Sequence, residues 1–204
     1  RLRAPVYATP FAVALLETRR LGEPGAPKVE LRTIRPGTPV DAGPFSVEYI
    51  PVAHSIPESN SLAIRTPAGL IVHSGDWKLD DEPALGERTD EARFRALGEE
   101  GVLALVSDST NVLREGRSPS ESEVTKNLAD VIRAAPARVA VTTFASNVGR
   151  LRAVAEAAAA CGREVVVVGR AMERVVAVAR ELGYLDGIPA FRSTDVYGYL
   201  PRDK

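Results

Sequence analysis

Apolar residues change their rhythm along this chain. Before about residue 75 they alternate with polar residues or gather in short runs. Pro5-Val6-Tyr7-Ala8 predicts a short strand or turn, and Thr9 followed by Pro10 predicts an N-cap with proline at the first helical position. An exposed strand is expected near 29–34. Residues 45–52 alternate partly, as a half-buried strand does. Residues 61–66, the Pro67-Ala68-Gly69 turn and residues 70–73 together predict a hairpin.

From about residue 102 the style is strand, helix, strand, helix. Residues 102–106 form a continuous apolar run, expected of a strand buried on both faces. Ser118-Pro119-Ser120-Glu121 reads as a capping box. Val124, Leu128, Val131, Ile132 and Ala135 follow at helical spacing until Pro136 stops them. Further strands are expected at 139–144 and 165–168. Helices are expected at 146–161, ended by Gly162, and after 168 to about 182. Such alternation predicts a parallel sheet with helices packed on it. The stretch from 188 to 204 shows no clear element.

Composition adds limits. With 26% charged and 45% apolar residues the chain has an ordinary globular make-up. Cys161 is the sole cysteine, so no intrachain disulfide can form, which fits a reducing compartment. No apolar run nears the roughly 20 residues of a membrane span. Net charge is −1, but residues 76–130 hold 14 acids and 7 bases, while 131–180 hold 8 arginines and 3 acids. An arginine-rich half could meet phosphates through the planar guanidinium fork, or could simply line solvated helix faces.

Two local features carry chemistry. His54, in His54-Ser55-Ile56-Pro57-Glu58-Ser59, and Asp76, in Ser74-Gly75-Asp76-Trp77-Lys78, each stand where a strand gives way to a loop. Imidazole nitrogen and carboxylate oxygen suit zinc or manganese, and a glycine before Asp76 allows a tight backbone. The spacing alone fits a capped turn and a half-buried histidine at least as well.

Those two segments, with Leu79-Asp80, resemble the middle metal motifs of the ribonuclease J family, in the β-CASP branch of the metallo-β-lactamase superfamily. So do Ser107-Asp108-Ser109-Thr110-Asn111, Thr142-Thr143-Phe144-Ala145-Ser146-Asn147 with Arg150, and Val168-Gly169-Arg170-Ala171-Met172. Tyr7-Ala8-Thr9-Pro10-Phe11 and Gly198-Tyr199-Leu200-Pro201 fit as well, so the resemblance runs along the whole chain. It implies an α/β fold, with part of a metallo-β-lactamase αββα domain at 1–105 and part of a β-CASP parallel α/β domain at 106–204. It implies a cytoplasmic, metal-dependent ribonuclease with no membrane association, acting on RNA as a 5′→3′ exonuclease, an endonuclease or both, and assembling into homo-oligomers.

By the same resemblance, His54 and Asp76 are metal ligands of a site for two divalent ions, zinc or manganese. Asp76 and Asp108 are catalytic, and Ser146, Asn147 and Arg150 contact RNA. The family's His-x-His-x-Asp-His segment is absent from these 204 residues, as are its later histidines. The chain therefore reads as an internal fragment holding two ligands of a larger set, and inactive alone.

Other residues support blander readings. His73 reads as a strand residue, Trp77 as core packing, and Asp80-Asp81-Glu82 as a solvated loop. Glu58 could support a ligand histidine or begin a helical turn. Asp108 could equally cap a turn with Ser109 and Thr110. Asn147 and Ser146 could cap a helix, and Arg150 and Arg170 could lie on the surface. A fragment that binds RNA or a partner without cleaving is the main alternative. A Rossmann-like nucleotide site is weaker, because no Gly-x-Gly-x-x-Gly follows any strand.

Overall fold

The computed structural model describes residues 4–21, 24–26, 28–116, 118–201 and 203. They form two compact units, the first drawn from 1–54, 58–81 and 86–117, the second from 55–57, 82–85 and 118–204. Compactness thus divides the chain mainly after residue 117, whereas the family motifs divide it at 105.

In the first unit, β1 (Val6–Ala8) pairs in parallel with β2 (Leu31–Thr33) across α1 (Pro10–Leu21). A five-stranded sheet then runs in the order β3 (Val40–Ala42), β4 (Phe45–Pro51), β5 (Asn60–Thr66), β6 (Gly69–His73), β7 (Val102–Val106). All its pairings are antiparallel except β6 with β7. α2 (Glu91–Glu100) precedes β7.

Register places a carboxylate on the covered face. Ile50 stands opposite Ser61, Glu48 opposite Ala63, Ala63 opposite Val72 and Arg65 opposite Leu70, so these residues share one side of the sheet. Leu97 of α2 packs with Ile50, Ala63, Leu70 and Val72, flanked by the half-buried Phe94. Glu48 lies beside this apolar patch. It accepts two hydrogen bonds from Arg93 (2.6 and 2.8 Å) and one from Arg65 (3.0 Å), and Arg65 also binds Glu100 through two nitrogens. A buried carboxylate is tolerated when paired and hydrogen-bonded in this way. Arg93 is the main cause holding the Glu48 carboxyl below its ordinary value.

Two expectations need correction. β7 exists, but it is not buried: Leu103 is 63% and Leu105 65% exposed. It is the last strand of the sheet, so one of its edges has no ladder. In the second unit, 139–144 and 165–168 form neither helix nor strand ladder among the described residues. Only an isolated parallel bridge joins Val166 to Arg192. Strand formation depends on neighbours as much as on valine content. Val139, Val141 and residues 165–167 still turn toward helices, lining a cavity of about 120 Å³ with Ile132, Leu151 and Val154.

The helices of the second unit are α3 (Glu121–Ala134), α4 (Val148–Ala160) and α5 (Arg170–Glu181), followed by a 3₁₀ turn, Thr194–Val196. The capping box forms two residues later than Ser118 suggested. Ser120 accepts from the Glu123 amide, and the Glu123 carboxylate accepts from the Ser120 amide. Ala135, next to Pro136, is extended, as a residue before proline should be. α4 and α5 end in matching glycine caps. Gly162 and Arg163 donate to Ala159 and Ala158, and Gly183 and Tyr184 donate to Arg180 and Ala179.

Candidate metal centre

β4 and β6 are both antiparallel to β5, and β7 is parallel to β6, so all three end at one rim of the sheet. Each end carries a candidate residue. His54 lies just beyond β4, Asp76 just beyond β6 and Asp108 just beyond β7. The C-terminal rim of a sheet is where α/β proteins commonly place their chemistry.

Hydrogen bonds gather the three loops. Ala53 and Lys78 form an isolated antiparallel bridge, with the Lys78 amide donating to the Ala53 carbonyl at 2.9 Å. The Thr89 hydroxyl accepts from the Ala53 amide (3.0 Å) and donates to the Lys78 carbonyl (2.9 Å), stapling the His54 and Asp76 segments together. The Ser59 hydroxyl donates to the Asp76 carbonyl at 3.3 Å. Gly75 adopts φ 59°, and a Cβ there would stand 2.9 Å from the Asn60 carbonyl oxygen, so only glycine fits this turn.

Ser74 ties the Asp76 turn to β7. Its amide donates to the Val106 carbonyl (2.8 Å), and its hydroxyl accepts from the Asp108 amide (2.8 Å) and donates to the Gly75 carbonyl (2.7 Å). The Asp108 carboxylate accepts from the amide and the hydroxyl of Thr110. The Thr110 hydroxyl is the main cause holding that carboxyl below its ordinary value, and the charge of His54 acts in the same direction. Asp108 therefore both caps its turn and stays ionised, able to accept but not donate a proton at neutral pH.

Of the neighbouring residues, His73, Asp81 and Glu82 match their sequence readings, while Asp80 and Trp77 do not. His73 is a strand residue, opposite Leu62 and Val106, and its Nδ1 accepts from the Gly75 amide. Glu58, the one non-glycine residue with positive φ among those described, does not start a helix. Its carboxylate accepts from the Phe11 amide at 2.8 Å, at the first turn of α1, where helix amides lack partners. Asp80 is not solvated: its side chain is 2% exposed and receives the Lys78 ammonium at 2.9 Å. Asp81 and Glu82 are exposed. Trp77 is not core. It is 41% exposed, beside a largely apolar cavity of about 310 Å³ lined also by Val52, Leu79, Phe94 and Leu105.

The expected RNA contacts lie in the second unit and already have intramolecular roles. The Asn147 side chain caps α4 by accepting from the Arg150 amide at 2.8 Å, and the Ser146 carbonyl accepts from Val148. Arg150 pairs with Glu121 at 3.2 Å, while its Nε is buried without a hydrogen-bond partner. Other arginines of this half also bind locally. Arg138 donates to the carbonyls of Tyr197 and Leu200, Arg152 to Tyr184 and Asp186, and Arg163 to Ala135 and Ala137.

Among the described residues no three His, Cys, Asp or Glu side chains cluster as a metal site. Ser74 stood inside the motif around Asp76 without a role of its own, and Thr89, which staples the rim, carried no sequence signal. No helix among the described residues is long and apolar enough to cross a membrane.

Residues 136–201 match the family model described as "Ribonuclease J, beta-CASP domain". The whole chain is 55% identical over 203 residues to ribonuclease J of Sinorhizobium meliloti, covering 36% of that protein. It is 42% identical to ribonuclease J of Thermus thermophilus, over 89% of this chain and 32% of the relative. It is 37% identical to ribonuclease J2 of Bacillus subtilis, over 91% and 34%. A solved protein of unknown function from Enterococcus faecalis shares the fold, with TM-score 0.66 at 21% identity over 93% of this chain and 45% of its own. Similarity along its whole length places the chain in the ribonuclease J family, as a stretch spanning about a third of the relatives it matches.

Proposed function

We propose that the protein containing this chain is a metal-dependent ribonuclease that hydrolyses RNA phosphodiesters as a 5′→3′ exonuclease, an endonuclease or both. One observation carries the reading: His54, Asp76 and Asp108 end three strands of one sheet at the same rim, with their loops joined by hydrogen bonds. The partial metallo-β-lactamase domain, cytoplasmic residence and homo-oligomeric assembly belong to the same reading.

The donor set fits a divalent ion. The His54 imidazole and Asp76 carboxylate would hold it, and Asp76 has two oxygens with which to serve a pair of ions. Two side chains do not complete a coordination shell. Further donors are needed, and relatives about three times as long have room for them. When bound, zinc or manganese acidifies water and offsets the negative charge that develops at phosphorus. Asp108, kept ionised by Thr110, orients a proton donor toward the leaving oxygen.

The absence of a three-residue ligand cluster among the described residues favours a second reading, in which the chain binds RNA or a protein without cleaving. Cleavage of 5′-monophosphorylated RNA by the intact protein, with and without manganese or zinc, separates the two. The nuclease reading expects His54→Ala and Asp76→Ala to reduce cleavage to background. Unaltered cleavage by Asp76→Ala refutes the role given to Asp76, and retention of RNA without cleavage in either metal supports the second reading.

A further inference from the structure

We infer that Ser74 is a positioning residue, setting the turn that carries Asp76 against the loop that carries Asp108. The inference rests on the nuclease reading of this rim. Ser74 is 7% exposed, and each of its polar groups is engaged. Its amide reaches back to the Val106 carbonyl, extending the β6–β7 pairing one residue into the rim. Its carbonyl accepts from the hydroxyl of the fully buried Ser61 on β5. Its hydroxyl accepts from the Asp108 amide at 2.8 Å and donates to the Gly75 carbonyl at 2.7 Å.

The hydroxyl is therefore a crossbar between two loops that are far apart in sequence. On one side it fixes the backbone entering Asp76, and on the other the backbone of Asp108 itself. Shielding from water matters, because a buried hydrogen bond has no solvent to replace it. Ser61 holds the crossbar from below, so the Ser74 peptide cannot rotate without breaking a third contact. Neither carboxylate takes part in this crossbar, the Asp108 carboxylate being bonded to Thr110 instead, so the two loops are held without either acid group.

Alanine at 74 removes an acceptor and a donor at once. Threonine keeps both, at a position that lines the cavity beside Trp77 and Leu105. The test uses the intact protein with Ser74→Ala, Ser74→Thr and Asp76→Ala. Hydrogen exchange at the Asp108 amide, read at residue level, should quicken at least about tenfold in Ser74→Ala and stay near the parent rate in Ser74→Thr. In RNA cleavage, Ser74→Ala should lower kcat on the order of 10²-fold, the scale that a misplacement of about 1 Å costs, with KM little changed. Ser74→Thr should recover most of that loss.

Unchanged Asp108 exchange in Ser74→Ala overturns the inference, as does equal loss of kcat in the alanine and threonine variants. Full cleavage by Asp76→Ala instead sinks the reading of this rim as the nuclease site, while the exchange measurement still decides whether Ser74 sets the Asp108 loop.

Discussion

Replacing Gly75 by alanine measures how tightly the Asp76 turn is held. Two penalties add at this position. At φ 59° an L side chain crowds its own carbonyl, which costs about 1 kcal/mol relative to glycine. The new Cβ would also stand 2.9 Å from the Asn60 carbonyl oxygen, so something must move by a few tenths of an ångström. That oxygen belongs to β5, paired with Pro51 of β4, and cannot withdraw without disturbing the sheet. Strain of this kind costs about 1–3 kcal/mol. Gly75→Ala is expected to destabilise by about 2–4 kcal/mol in all.

Gly43 supplies the control. Its φ is 62°, but nothing lies within 4 Å of where its Cβ would be, so Gly43→Ala should cost only about 1 kcal/mol. The assay is urea unfolding followed by the fluorescence of Trp77, the sole tryptophan, two residues from the perturbation. Comparison requires equal m values, so that midpoints report stability. Equal destabilisation by the two variants refutes the claim that the Asn60 carbonyl confines this turn.

Two other perturbations test the buried charges. Glu48→Gln should destabilise by roughly 1–3 kcal/mol at neutral pH, since Arg93 and Arg65 lose a charged acceptor. The Glu48 carboxyl titrates below its ordinary value of 4.5, chiefly because of Arg93. Its contribution is thus complete above pH 4.5 and disappears as pH falls through the lower, folded value. Urea midpoints across the acid range should fall less steeply in Glu48→Gln than in the parent, and parallel curves contradict this. Lys78→Ala should cost about 3 kcal/mol, because Asp80 loses its ammonium partner in a nearly dry site. Adding Asp80→Asn should restore most of the loss, and additive losses in the double variant argue against the pair.

Much of the architecture could be read from residue order. β4, β5 and β6 follow from partial alternation around the Pro67-Ala68-Gly69 turn, α3 from helical spacing stopped by Pro136, and α4 from an alanine-rich run stopped by Gly162. α2 escaped notice because Phe94 and Leu97 are its only large apolar residues. Its remaining anchors are Arg93 and Glu100, which join Glu48 and Arg65 on distant strands. β7 was legible as a strand but not as an edge, since a run of valines and leucines does not reveal how many neighbours it has. His54 and Asp76 stood out at strand ends. What draws their loops together, the Thr89 hydroxyl and the Ala53–Lys78 bridge, depends on contacts that no local pattern encodes.

The arginines of the second unit invite a distinction between charge and grip. Arg138 and Arg163 are held by backbone carbonyls, and Arg180 lies over the Phe191 ring at 5.3 Å. Carbonyls and rings leave a guanidinium its full positive charge, unlike a carboxylate. They also occupy or align its N–H groups, so that the fork no longer searches for a bidentate partner. If the proposed action on RNA holds, such residues would attract the polyanion from a distance without reading its sequence. The signature would be association that weakens steeply with added salt yet scarcely distinguishes one nucleotide order from another.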